Sequence, residues 1–293
     1  MPRRILILAN PISGGGRGAR AATALAHALT TRGAHADLHL TTHAGNARER
    51  AASTSSATHD AIVGVGGDGT LNEILNGLVD RDVALALYPC GTANVLAAEL
   101  HTPRTPDAFA DLLCTTDPTP LRIATANGRR FVLFAGVGFD AAIVRRVEDT
   151  RRGPLGKLRW IAPVCHVIRN WPLRALSLTT DSGETRTGYT QILVTRVRNY
   201  GGTMHLPVGD LRDPHLHVLA FRQRTRIAWA LTSLRAIAGR LRVPRDVEHL
   251  IATTVTITAE GAPAHCQIDG DTHHTTPLHV ALDPQPVRMF GLL

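Results

Sequence analysis

Short apolar runs punctuate the first third of the chain at Ile5–Ala9, Ala36–Leu40, Ala61–Val65 and Val83–Leu87. The stretches between them are helical in character: Ala19–Thr31 is alanine-rich, and Thr70–Leu78 sets Leu71, Ile74, Leu75 and Leu78 at i, i+3, i+4 and i+7. Strand and helix in alternation predict βαβ units on a parallel sheet. The run Thr115-Thr116-Asp117-Pro118-Thr119-Pro120 then reads as a linker. Beyond it the pattern changes to strands: Leu121–Ala126 and Phe131–Ala135 flank Asn127-Gly128, a pair that tolerates the positive φ of a tight hairpin turn. Leu173–Thr180, Thr187–Val197, Leu216–Phe221, Thr253–Ala259 and Leu278–Leu282 continue the series, with helices expected near Ala141–Glu148, Leu155–Ile168 and Thr225–Leu241. The predicted organisation is an α/β domain over 1–118, a β-rich, mainly antiparallel domain over 119–284, and a segment 285–293 that returns to the first domain.

Composition narrows the class. With 44% apolar and 19% charged residues, the 293-residue chain is globular rather than disordered or coiled-coil. Cys90, Cys114, Cys165 and Cys266 stand far apart with no C-x-x-C pair, which points to reduced thiols and a cytoplasmic protein rather than a disulfide framework. No run approaches the roughly 20 apolar residues that span a bilayer, so any membrane contact is expected to be peripheral. The 32 basic against 24 acidic residues favour an anionic partner. Every basic residue except Lys157 is arginine, which leaves a Walker-type lysine almost no candidate.

The chemistry concentrates in loops that follow the predicted parallel strands. Gly64-Val65-Gly66-Gly67-Asp68-Gly69-Thr70 joins a buried strand to an amphipathic helix, where backbone N–H groups and the positive helix terminus suit a phosphate. Asp68 is placed either as a helix cap or as a carboxylate that helps to hold magnesium beside the phosphates. Asn10-Pro11-Ile12-Ser13-Gly14-Gly15-Gly16 and Pro89-Cys90-Gly91-Thr92-Ala93-Asn94 occupy equivalent positions. Loops at the carboxyl ends of parallel strands are where open α/β sheets bind ligands.

These three loops, with Asn72-Glu73, resemble the nucleotide-binding signature of the diacylglycerol kinase catalytic family, which includes sphingosine and ceramide kinases and bacterial soluble lipid kinases. The resemblance continues in order through Thr42-x-x-Gly45-x-Ala47, Gly136-Val137-Gly138-Phe139-Asp140, Leu155-Gly156-Lys157-Leu158 and Gln267-Ile268-Asp269-Gly270-Asp271. It implies an ATP-binding α/β domain, a β-rich domain and a lipid cleft between them. It further implies an ATP-dependent kinase acting on a lipid hydroxyl, diacylglycerol or a related lipid. By that resemblance Gly66, Gly67, Asp68, Gly69 and Thr70 line the phosphates, and Asn10, Ser13, Thr42, Gly91, Thr92 and Asn94 complete the pocket for ATP. Asp269 matches the general base, with Asp68 as the second catalytic carboxylate. Asp271, on one face with Asp269 if the segment is extended, joins Asp68 at Mg2+. The family more often has glutamate at position 271.

A second departure lies at Pro207–Leu216, where Arg212 and Pro214 replace an aspartate and a glycine that accompany an accessory structural magnesium site in many bacterial relatives. The histidines, His205, His215, His217, His273 and His274, lack metal-ligand spacing. Ile227, Leu231, Leu234, Ala238 and Leu241 form a helical stripe flanked by Arg224, Arg226, Arg235, Arg240, Arg242 and Arg245. That stripe predicts either core packing with a solvated basic face or a basic face docked on an anionic membrane surface. An NAD kinase-like phosphotransferase and a catalytically silent nucleotide- or lipid-binding regulator are the competing readings. Nucleic acid is not expected as a partner, because no recognised motif accompanies the arginines. A homodimer is left open.

Overall fold

A computed structural model describes residues 2–150, 161–170, 174–201 and 204–291. Arg151, Arg152, the Leu155–Leu158 motif and Leu173 lie outside the described residues. The chain divides into two compact units, Met1–Ile123 with Pro284–Leu293, and Ala124–Asp283.

In the first unit the predicted parallel sheet forms from β1 (Arg4–Ala9), β2 (His35–Leu40), β3 (Ala61–Gly66) and β4 (Ala84–Pro89). The order is β2-β1-β3-β4, continued by β20 (Val287–Met289) and β5 (Thr119–Leu121). β20 pairs parallel to β4 and antiparallel to β5. The first unit therefore runs through the proline-containing linker, and Pro120 is accommodated on an edge strand where a missing N–H breaks no ladder. The crossovers carry α1 (Ser13–Gly16), α2 (Gly18–Thr31), α3 (Asn46–Ala52), α4 (Asp68–Gly77), α5 (Val95–Glu99) and α6 (Pro106–Thr115). β1 and β3 are buried almost throughout, as expected for strands covered on both faces. The chain winds left from β1 to β2 and right from β1 to β3, so the ends of β1 and β3 form the topological switch point of the sheet.

The second unit packs two antiparallel six-stranded sheets. One runs β10-β9-β16-β19-β6-β7: β6 (Ala124–Ala126), β7 (Arg129–Phe131), β9 (Leu176–Thr180), β10 (Thr185–Tyr189), β16 (Thr254–Ala259) and β19 (Leu278–Leu282). The other runs β15-β14-β11-β8-β17-β18: β8 (Phe134–Gly138), β11 (Gln191–Thr195), β14 (Leu216–Phe221), β15 (Glu248–Ala252), β17 (His265–Ile268) and β18 (Asp271–Thr275). A small ribbon pairs β12 (Asn199–Tyr200) with β13 (Met204–His205). Alternate residues of the two sheets, among them Leu178, Ile257, Val280, Val137, Val194, Val218 and Ile268, fill one core. The predicted turn at Asn127-Gly128 is present, with φ of 48° and 81°, but its arms are β6 and β7: Leu121 belongs to β5, and Phe134 and Ala135 to β8 in the other sheet. The segment Thr187–Val197, expected as one strand, divides at Thr190 because the chain passes from one sheet to the other there.

The helices of this unit are α7 (Phe139–Thr150), α8 (Ile161–Asn170) and α9 (Arg226–Ile237). Core packing of the Ile227-Leu231-Leu234 stripe is overturned: these side chains face solvent, and the buried residues of α9 are Trp229 and Thr232. Trp229 decides the orientation by stacking on Phe139, with ring centroids 4.5 Å apart. Among the described residues no helix is long and apolar enough to cross a membrane.

Some of the histidines without metal-ligand spacing are nevertheless grouped in the fold. His217 is buried and stacks on His249, and His215 Nδ1 lies 2.9 Å from Asp213 Oδ1. Burial lowers the pKa of both His217 and His249, against the pull of the Asp213 carboxylate, whose Oδ2 lies 3.1 Å from His217 Nε2. Beside them the fully buried Arg196 guanidinium donates to the carbonyls of Leu211, Asp213 and His215 at 2.6–2.8 Å. A guanidinium thus holds the segment where relatives with the paired aspartates are expected to use a cation, and these residues do not fit a structural magnesium.

Removing that guanidinium strands three carbonyls. Arg196→Met is expected to lower the unfolding free energy by about 3–5 kcal/mol in urea titration, with no restoration by millimolar magnesium. Rescue by magnesium, or a loss below about 1 kcal/mol, would show that this segment has another support.

Candidate functional site

The loops after β1, β3 and β4 meet through close backbone approach. A Cβ on Gly91 would lie 2.5 Å from Gly67 Cα, and one on Gly14 would lie 2.4 Å from the Cys90 carbonyl oxygen. Only glycine permits these contacts. Hydrogen bonds close the assembly: Asn10 N–H donates to Val65 O at 3.0 Å, and the N–H groups of Cys90 and Gly91 donate to Gly66 O at 2.7 and 3.1 Å. Asn94, at φ 47°, uses both ends of its amide within its own loop, accepting from Gly91 N–H and donating to Gly91 O, each at 2.8 Å. Its side chain therefore shapes the loop.

Other glycines in these loops face open space. Nothing lies within 4 Å of a Cβ built on Gly15, Gly16 or Gly69. Gly69 stands in the first turn of α4, whose N-terminus has no side-chain cap. A helix start leaves four N–H groups without intrahelical acceptors, so this open, uncapped terminus at the switch point is suited to an anion.

Asp68 is half-buried, and its carboxylate reaches across to α5, accepting the N–H groups of Val95 and Leu96 at 3.0 Å each. Both oxygens are thus engaged, and the residue ties the starts of α4 and α5 together. Burial raises its pKa, while those two N–H bonds pull the other way. Thr42 and Thr92 are exposed; the Thr42 hydroxyl is 3.0 Å from His43 Nδ1. The loop of Thr42 is fixed by Gly45, whose N–H donates to Glu73 Oε2 on α4 at 3.1 Å.

In the second unit, Asp269 and Gly270 form the two-residue turn between β17 and β18, with φ of 48° and 91°. The Asp269 carboxylate accepts three backbone N–H groups: Val132 at 3.1 Å, Leu133 at 3.0 Å and Phe134 at 3.0 Å. The extended geometry expected for Asp269 and Asp271 is not present: Asp269 occupies the left-handed region, and Asp271 begins β18 facing Arg129, with which it forms an ion pair. Among the described residues no three His, Cys, Asp or Glu side chains group as a metal site.

Two residues that sequence reasoning left without a role support this turn. Gln267, fully buried on β17, donates from Nε2 to Asp140 Oδ2 at 2.7 Å and accepts Gly270 N–H on Oε1 at 3.0 Å. Asp140 N–H in turn donates to Gln191 Oε1, and the Tyr200 hydroxyl donates to Asp140 Oδ1. A Cβ at Gly136 would stand 2.8 Å from Asp140 Oδ2, which explains a glycine at that point of the G-x-G-x-D run. Strand alternation carries the signal: Cys266 and Ile268 enter the sandwich core, so a glutamine between them faces α7.

Burial raises the Asp140 carboxyl to about 7, with the Gln267 bond opposing it. The folded protein then holds a proton that the unfolded chain, with an ordinary value of 3.8, releases. This contribution is fully present below about pH 4 and is lost as pH rises through about 7. Relative to Asp140→Asn, the wild-type unfolding free energy should fall by up to about 1.4 kcal/mol per pH unit across that window. Urea titrations of both proteins from pH 5 to 8 measure it; a constant difference would mean that Asp140 does not titrate there.

Comparison with known proteins agrees with this geometry. Residues 4–126 match the model of the diacylglycerol kinase catalytic domain, and residues 134–291 match that of the YegS C-terminal NAD kinase beta sandwich-like domain. The chain is 24% identical over 275 residues to "Putative lipid kinase SERP0390" of Staphylococcus epidermidis, covering 90% of this chain and 89% of that protein. It is 24% identical over 239 residues to SH2167 of Staphylococcus haemolyticus, which bears the same description, covering 80% and 77% of the two chains. In fold it resembles a crystal structure of a diacylglycerol kinase from Bacillus anthracis, with a TM-score of 0.75 at 21% identity, covering 98% of this chain and 96% of that one. Two domain models in succession, over a parallel sheet edged by glycine loops and an antiparallel sandwich, place this chain in the diacylglycerol kinase catalytic-domain family.

Proposed function

We propose that the protein transfers the γ-phosphoryl group of ATP to the hydroxyl of a lipid, diacylglycerol or a related lipid. The observation that carries this reading is the uncapped start of α4 at the switch point, with open glycines beside it and two further loops laced against it. Family membership supplies the reaction class. In this reading Gly66 to Thr70 hold the triphosphate through backbone N–H groups, and Asn10, Ser13 and Gly91 keep the cradle closed around it. Thr42 and Thr92, both exposed, complete the nucleotide contacts, and Asn94 sets the shape of the third loop.

Magnesium fits this site as a partner of the nucleotide. Mg2+ is commonly held by one or two carboxylates together with substrate phosphates, and Asp68 is the carboxylate at the phosphate loop. When bound, the ion neutralises charge on the transferring phosphoryl group. Asp68 also holds the start of α5 against the loop, so its carboxylate has a structural as well as an electrostatic task. Asp271, facing Arg129, is a weaker candidate for the metal than Asp68.

Asp269 acts on the acceptor. Phosphoryl transfer asks little covalent chemistry of the protein and much positioning. A carboxylate fixed by three backbone N–H groups is oriented without reliance on mobile side chains. It accepts the hydrogen bond, then the proton, of the lipid hydroxyl as the new P–O bond forms and the bond from the γ-phosphorus to the bridging oxygen breaks, releasing ADP. With no transmembrane helix among the described residues, the enzyme in this reading meets its substrate at a membrane surface from the aqueous side.

Transfer of radiolabelled γ-phosphate from ATP to a panel of diacylglycerol, sphingoid base, ceramide and NAD in mixed micelles tests the proposal. Label is expected in a lipid and not in NAD. Asp269→Asn should lower lipid turnover by roughly 100- to 10,000-fold while ATP affinity holds. Phosphorylation of NAD alone, or Asp269→Asn losing ATP affinity in place of turnover, would refute the assignment.

A further inference from the structure

The stripe on α9 points outward, and its composition identifies what covers it. Ile227, Leu231, Leu234 and Ile237 are 75%, 48%, 62% and 62% exposed, although the same helix buries Trp229 against Phe139 and Phe221. At 100° per residue the four exposed side chains fall on one face and Trp229 on the opposite one. The helix is therefore firmly seated with its apolar edge turned to water. Its N-terminus is fixed as well, because Thr225 Oγ1 accepts Ala228 N–H at 3.2 Å.

Charge surrounds that edge with one sign only. From Arg222 to Arg245 there are seven arginines and no acidic residue. Asp246, which follows, is buried and bound by Arg235 at 2.9 Å and Arg242 at 2.8 Å. Those two arginines are thereby occupied in holding the end of α9 and the segment after it. Arg224, Arg226, Arg240 and Arg245 are exposed, and no ion pair engages them among the described residues.

We propose that α9 is the element by which this protein lies on an anionic bilayer. Ile227, Leu231, Leu234 and Ile237 enter the boundary between headgroups and acyl chains, while Arg224, Arg226, Arg240 and Arg245 bind lipid phosphates. A row of large apolar side chains bordered by arginines is the pattern of an interfacial helix, and arginine stems reach from an apolar depth to the headgroups. A face of a second protein would have to supply a matching acidic rim; a bilayer containing acidic lipid supplies it everywhere. Twelve residues of helix, about 18 Å long, suffice to lie in the interface and not to cross it. The inference deepens the lipid-kinase reading by naming the membrane partner, but it is read by binding alone.

The test is cosedimentation of the full chain, without nucleotide, with phosphatidylcholine vesicles that contain or lack phosphatidylglycerol. Wild type is expected to bind the anionic vesicles, less so as salt rises. Replacing Arg224, Arg226, Arg240 and Arg245 with glutamine should weaken binding roughly fivefold per residue. The triple variant Ile227→Ser, Leu231→Ser, Leu234→Ser should lose binding at least tenfold, with an unchanged melting temperature because these side chains touch solvent. Neither variant should alter turnover of a short-chain, monodisperse lipid. Equal vesicle binding by wild type and both variants would overturn the proposal. So would a wild-type dimer that the serine variant converts to monomer, since a second copy would then be the occupant. Vesicle binding lost in the variants while no lipid is phosphorylated would sustain the docking surface and sink the kinase reading instead.

Discussion

The first unit of the molecule depends on how closely three pieces of backbone approach one another. Gly67 against Gly91, and Gly14 against the Cys90 carbonyl, leave no room for a single methyl group. The loops after β1, β3 and β4 can share one site only under that constraint. Asp68 fixes the arrangement by accepting two N–H groups from the start of α5, so that its carboxylate acts as a structural tie. The start of α4 is left uncapped and open, and it is this opening that gives the sheet edge its chemistry.

The second unit solves a different problem with the same means. A carboxylate must be held still at a tight turn, and three N–H groups from the strand entry at Val132–Phe134 do so. Behind the turn a polar chain runs from the half-buried Tyr200 through the buried Asp140 and Gln267 to Gly270. Such a chain stabilises only when its members are satisfied, and here each makes a hydrogen bond to the next. The sandwich core on the other side of β17 supplies the rigidity, since Cys266 and Ile268 are locked among apolar neighbours.

Much of this was legible in the sequence because it is governed by local pattern. The four parallel strands, the Asn127-Gly128 turn and the glycine loop between β3 and α4 all follow from short-range periodicity and turn chemistry. What was not legible depends on contacts remote in the chain. Nothing near Asp68 announces that its carboxylate faces Val95, and nothing near Asp271 announces Arg129. The division of Thr187–Val197 between two sheets leaves the strand-like pattern on either side of Thr190 intact and is invisible to periodicity. The α9 stripe was legible as a stripe, but the choice between core and outside was not, because an amphipathic pattern gives a face but not its direction; Trp229, the single large aromatic on the opposite side, decides it.

The central claim, that the three loops form one nucleotide site, is tested most directly by amide hydrogen exchange of the full chain with and without magnesium ATP. The expected result is slowed exchange confined, in the first unit, to the Ser13–Gly16 turn, the Gly66–Thr70 loop, the Gly91–Leu96 segment and the Thr42–Gly45 loop beside them, with the first three protected over the same range of ATP concentration. Protection that misses these loops, or that appears in one of them while the others exchange as before, would contradict it.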